Sequence, residues 1–133
     1  MVLYTFYLIY CKDPCIVDTY VGRSKSFLKR VKTHRSCVYN GNCGKLYNFI
    51  RETGGFSNWD IKVLEEAKYD NLGDAALREM YWYIKNGSKL NSYTPGINYY
   101  RRTKSPSYIN LYLRRKKLID DIDELPPLLF NSS

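Results

Sequence analysis

Tyr10, Tyr20, Arg30, His34 and Glu79 are the residues of this chain whose types and spacing could carry chemistry together. Tyr10 ends the apolar run Leu8-Ile9-Tyr10, and Tyr20 opens Tyr20-Val21-Gly22 soon after it. Arg30 and His34 stand four apart, so on a helix they share one face. In-line attack of water on a phosphodiester needs a base near the water, positive charge on the developing phosphorane and a group that stabilises the leaving oxygen. A tyrosine, an arginine and a carboxylate-held metal ion supply all three. A phenol of ordinary pKa, about 10, is a poor base at neutral pH, and the cations Arg30 and His34 nearby would lower that value. Glu79 is set among Ala75, Ala76, Leu77, Met80, Tyr81, Trp82 and Ile84. One such carboxylate, completed by waters and substrate phosphate, is a common way to hold Mg²⁺. The plainer readings are an exposed Glu79 and a His34 at the surface end of a basic helix.

The elements that must position these residues can be read from the pattern. Val2 to Tyr10 is apolar nearly throughout and is stopped by Lys12-Asp13-Pro14, as a central strand would be. Ile16 to Gly22 has a β-branched bias and completes an antiparallel hairpin. Ser24 or Ser26 caps a helix from Phe27 to Cys37, with Phe27, Leu28 and Val31 inward. Lys45 to Thr53 forms a short helix with Leu46, Phe49 and Ile50 inward, ended by Gly54-Gly55. Asn58 to Glu65 alternates, with Trp59, Ile61 and Val63 on one face. Asp74 caps a third helix that runs to Lys85 and stops at Asn86-Gly87. Thr94-Pro95-Gly96 then turns the chain towards Ile97 and Asn98. The expected fold class is α+β: a small three-stranded antiparallel sheet flanked by helices in the order β-β-α-α-β-α. Beyond residue 98, Ser105-Pro106 starts a C-terminal amphipathic helix that Pro126-Pro127 stops. The division is a domain over 1–98 and a basic extension over 99–133.

Composition narrows the partners. With 133 residues and 44% hydrophobic content the chain can bury a core as one domain. No apolar run approaches the roughly 20 residues of a membrane span, and no membrane partner is expected. The first residues lack the basic segment and cleavage site of a signal peptide, so an intracellular, unsecreted protein is expected. The net charge of +8 is clustered. Arg23, Lys25, Lys29, Arg30, Lys32 and Arg35 form one block without an acid, and Arg101, Arg102, Lys104, Arg114, Arg115, Lys116 and Lys117 form another. Such clusters bind phosphate backbones with little sequence preference, which makes DNA the expected partner. The C-terminal helix docks on the core or on a second copy, making a homodimer. Cys11, Cys15, Cys37 and Cys43 have poor spacing for zinc and read as free thiols.

Taken in order, these segments resemble the GIY-YIG nuclease family. Leu8-Ile9-Tyr10 stands for the first signature and Tyr20-Val21-Gly22 for the second. The helix Ser26 to His34, then Leu46 to Ile50, Trp59 to Glu66, Arg78-Glu79-Met80-Tyr81-Trp82 and Pro95-Gly96-Ile97-Asn98 follow. The first signature departs from the family in having Leu8 where the name has Gly. The resemblance implies a divalent-metal-dependent endonuclease using a single Mg²⁺ or Mn²⁺ ion. It implies Tyr10 and Tyr20 as signature tyrosines, Arg30 on the phosphate, His34 beside them, and Glu79 as metal ligand. Asn98 corresponds to the asparagine that closes the family's domain, with Asn91 a competing assignment. A binding module of the same fold without catalysis is the alternative.

Overall fold

A computed structural model of the protein describes residues 1–97. The expected C-terminal helix, the boundary at residue 98, Asn98 and the cations Arg114, Arg115, Lys116 and Lys117 lie outside the described residues.

Strands β1 (Val2–Cys11), β2 (Tyr20–Ser24) and β3 (Trp59–Tyr69) form one antiparallel sheet in the order β2-β1-β3. Helices α1 (Phe27–Tyr39) and α2 (Lys45–Glu52) lie between β2 and β3 in the chain, and α3 (Leu72–Lys85) follows β3. The expected α+β class and element order hold. Strand β1 is central and covered on both sides, which is why it is apolar at consecutive positions rather than alternating. Tyr7, Ile9 and Cys11 pack with Val38 of α1, Leu46 and Ile50 of α2, and Trp59. Tyr4 and Phe6 pack with Tyr69 and with Ala75 of α3. Burying a large apolar side chain is worth roughly 1.5–3 kcal/mol, so this doubly covered strand anchors the domain.

Four local features depart from the sequence reading. Pairing of β2 begins at Tyr20, opposite Ile9, so the residues from Ile16 to Thr19 belong to the loop. In α1 the buried residues are His34 and Val38, while Leu28 is exposed. Strand β3 carries a bulge: Tyr7 pairs with Val63 and Phe6 with Glu65, leaving Leu64 extra. Trp59, Ile61 and Val63 share the Tyr7 face as their alternation predicts, but the extra residue turns Glu65, Ala67 and Tyr69 to the other face, towards α3. The cap of α3 is Asn71: its Oδ1 accepts from the Asp74 backbone N–H at 2.8 Å, and its Nδ2 donates to Asp74 Oδ2 at 3.0 Å. The turn Thr94-Pro95-Gly96-Ile97 closes on a 3.3 Å backbone hydrogen bond.

Candidate active site

Strand β2 lies at an edge of the sheet, and the candidate site is built around it. Tyr20, opposite Ile9, shares the face of Tyr7, whereas Arg23, opposite Phe6, lies on the face of α3. Between them Gly22 pairs with Tyr7. A Cβ on Gly22 would meet the Tyr7 phenol oxygen and lie 2.5 Å from its Cζ and 3.0 Å from Tyr20 Cε1. Glycine is therefore what allows the Tyr7 ring to lie across β2 beside Tyr20, with ring centroids 6.4 Å apart.

His34 arrives from α1 and is almost wholly buried, at 3% exposure. Its Nε2 is hydrogen-bonded to the Tyr7 hydroxyl at 2.8 Å and its Nδ1 to the Tyr47 hydroxyl of α2 at 3.0 Å. The ring also meets Tyr20 edge-on at 5.7 Å. Burial, reinforced by the Arg30 guanidinium, lowers the His34 pKa from 6.5 to about 4, so the imidazole is neutral at pH 7. Burial likewise raises Tyr7 well above its usual 10 and raises Tyr20, despite Arg30 beside them. The expectation that neighbouring cations lower the tyrosines is thereby reversed: loss of water disfavours the phenolate more than Arg30 favours it.

From the other face, Glu79 of α3 is buried, and its Oε1 accepts a short hydrogen bond from Arg23 Nη1. Burial raises its pKa, opposed by the charge and hydrogen bond of Arg23 and by Arg30. Two clefts meet here. One, of about 310 Å³, is lined by Tyr4, Tyr20, Arg23, Lys25, Arg30 and Glu79 among others. The second, of about 430 Å³, shares Tyr20, Arg23 and Glu79 and extends to Lys45, Tyr47, Asn91 and Tyr93.

The structure thus brings Tyr20, Arg30, His34 and Glu79 together but not Tyr10. Tyr10 pairs with Asp60, donates to Asp60 Oδ2 at 3.5 Å and lies under Lys62 Nζ at 5.4 Å. Side chains alternate along a strand, so Tyr10 is on the face opposite Tyr7 and Tyr20. Tyr7 takes the place expected for it. Asn91 lines the larger cleft: it accepts from the Val21 N–H at 3.1 Å and donates to the Val21 carbonyl at 2.8 Å. The basic block divides. Arg23, Lys25 and Arg30 line the site, Lys29 and Lys32 are exposed on α1, and Arg35 lies over Phe56 in a separate cleft with Lys12 and Arg51.

The four cysteines are free thiols, and among the described residues no three His, Cys, Asp or Glu side chains cluster to hold a metal ion. A Mg²⁺ or Mn²⁺ ion that takes most of its oxygens from water and substrate phosphate still fits, because Glu79 offers one hard carboxylate at the meeting of both clefts. The Arg23 contact would have to loosen for it. Among the described residues no helix is long and apolar enough to cross a membrane.

No curated protein and no solved structure matches the chain. Residues 3–93 match the family described as the GIY-YIG catalytic domain, a span that includes Tyr7, Tyr20, Arg30, His34, Glu79 and Asn91 and ends before Asn98. A chain matched over most of its length, with those side chains gathered around one edge strand, belongs to the GIY-YIG family of nuclease-type domains.

Proposed function

We propose that this protein is a divalent-metal-dependent DNA endonuclease that hydrolyses phosphodiester bonds. The observation that carries the reading is the meeting of Tyr20, Arg23, Arg30 and Glu79 in adjoining clefts, with Tyr7 and His34 directly behind Gly22. Glu79 holds Mg²⁺ or Mn²⁺, which when bound supplies positive charge for the leaving oxygen. Arg30, exposed and lining the cleft, meets the scissile phosphate and neutralises charge that grows on it. Tyr20 borders the attacking water. Tyr7 is fully buried behind Gly22 and lines neither cleft, so it would have to be uncovered to meet that water. It enters the reaction as a neutral phenol, because its pKa is raised, and accepts a proton from the water while its own passes to His34 Nε2. Of the two tyrosines beside Gly22, Tyr7 is the one hydrogen-bonded to a group that can take a proton onward. Lys25 and the exposed Lys29 and Lys32 supply field for a phosphate backbone.

One observation favours a second reading, a catalytically inactive nucleic-acid-binding module: the Glu79 carboxylate already engages Arg23. Supercoiled plasmid incubated with the protein in Mg²⁺, Mn²⁺ or EDTA separates the two. The nuclease reading expects metal-dependent nicking or linearisation that is lost in Glu79→Ala and Arg30→Ala. Retained cleavage in Glu79→Ala sinks the metal assignment, and binding without cleavage by the parent chain supports the module.

A further inference from the structure

Tyr47 lies outside the set of residues that the sequence singles out for chemistry, yet it completes the hydrogen bonding of the one histidine in the chain. A neutral imidazole carries one N–H, so one ring nitrogen donates and the other accepts. Among the described residues the Tyr7 hydroxyl has His34 Nε2 as its one hydrogen-bond partner, so its O–H donates there, whereas the Tyr47 hydroxyl stands beside the cleft and can give its own proton to water. Its oxygen lone pairs are then left to receive an N–H from His34 Nδ1, 3.0 Å away. Nε2 becomes the acceptor, facing the Tyr7 hydroxyl at 2.8 Å.

We propose that Tyr47 is a positioning residue of the site: its hydroxyl holds His34 in the Nδ1–H form and takes that proton when Tyr7 delivers another to Nε2. The catalytic half of this inference rests on the nuclease reading above. The charged and titratable groups facing His34 are Tyr7 from β1, Tyr20 from β2, Arg30 on α1 itself and Tyr47 from α2. None of these is a carboxylate, and Arg30 repels an imidazolium, so a proton reaching Nε2 cannot rest on the ring. The transfers balance without one. The attacking water gives a proton to the Tyr7 oxygen, Tyr7 gives its own to Nε2, Nδ1 gives its proton to the Tyr47 oxygen, and Tyr47 releases its original proton to water. Tyr47 is half-buried and lines the 430 Å³ cleft, where that water is available.

With a single histidine, ¹⁵N NMR of the full chain reads one pair of ring nitrogens. The parent protein is expected to show Nδ1–H at pH 7, and Tyr47→Phe, which keeps the ring, a mixture or the Nε2–H form. In plasmid cleavage with Mg²⁺, Tyr47→Phe should lower kcat by about 10- to 100-fold with KM unchanged. An Nε2–H tautomer in a parent chain that cuts DNA overturns the inference, as does an unchanged tautomer and kcat in Tyr47→Phe. If the parent cuts no DNA, the nuclease reading falls, and the parent's tautomer still decides what Tyr47 does to His34.

Discussion

Two adjacent residues of α3, Arg78 and Glu79, each join an arginine–glutamate pair, and the two pairs are built differently. Arg78 is buried and grips Glu65 through Nε at 2.6 Å and Nη2 at 3.0 Å, while Trp82 Nε1 donates to the same carboxylate at 2.9 Å. Its guanidinium lies over the Tyr81 ring at 4.4 Å and the Trp82 ring at 5.6 Å. Planar stacking and a two-pronged carboxylate satisfy nearly every valence, which is the construction of a clamp. The other pair inverts the burial. Glu79 is the enclosed partner, with its side chain 10% exposed, and Arg23 is the freer one at 24%, meeting the carboxylate through Nη1 where two clefts open. A carboxylate tied by three N–H donors to a buried arginine and a tryptophan supports the fold, whereas one held by a partly exposed cation beside a cleft retains capacity for a ligand.

Glu79→Gln is the strongest way to break this contrast. It preserves shape and removes the charge, so cleavage should fall by about 100- to 1,000-fold. The urea midpoint should move by less than about 1 kcal/mol equivalent, because removing a buried charge offsets losing its partner. If stability collapses and cleavage persists, Glu79 is a second clamp. Arg78→Ala is the converse. It strands the Glu65 carboxylate and should cost about 3 kcal/mol in urea unfolding with the rate per folded molecule retained. A lost rate without lost stability would erase the distinction.

His34 adds a polar connection made without charge, and pH sharpens the comparison. Its folded pKa of about 4 lies below the unfolded 6.5, so the unfolded chain binds the extra proton between those values. Its stabilising contribution is complete above pH 6.5 and is lost as pH falls towards 4, about 3 kcal/mol in all. Urea unfolding across that range should show the slope, and His34→Gln should flatten it; an equal slope in the variant would assign it to other groups. The smallest effect concerns exposed cations. Lys25→Ala should reduce the salt slope of DNA binding by about 1, whereas Arg35→Ala, in the separate cleft, should leave it unchanged. Equal slopes for both would mean that DNA tracks along all of α1.

The order of elements was legible because helix periodicity and turn residues are local signals. Glu79 as a neighbour of Tyr20, Arg30 and His34 was legible only through the resemblance to the GIY-YIG family, since residues so far apart in the chain leave no local trace. Tyr7 was not legible. Tyr4, Tyr7 and Tyr10 lie on a strand buried on both faces, where no alternation tells one face from the other, and a one-residue error exchanges them. The burial of His34 was equally hidden, since the basic residues around it suggest a solvated helix. The clamp at Glu65 depends on the β3 bulge, for which residues 59–66 carry no glycine or proline to announce it.

Asn91 has a consequence for association. An exposed edge strand offers its backbone N–H and C=O groups to any extended chain that drifts past, the usual route to edge-to-edge sticking. At Val21 both groups are already engaged by the one Asn91 amide, which imitates a single residue of a fourth strand. Aspartate would keep the acceptor and forfeit the donor, so the Val21 carbonyl would again invite a foreign strand. The same side chain that borders the cleft thereby keeps a neighbouring polypeptide from zipping onto the sheet there.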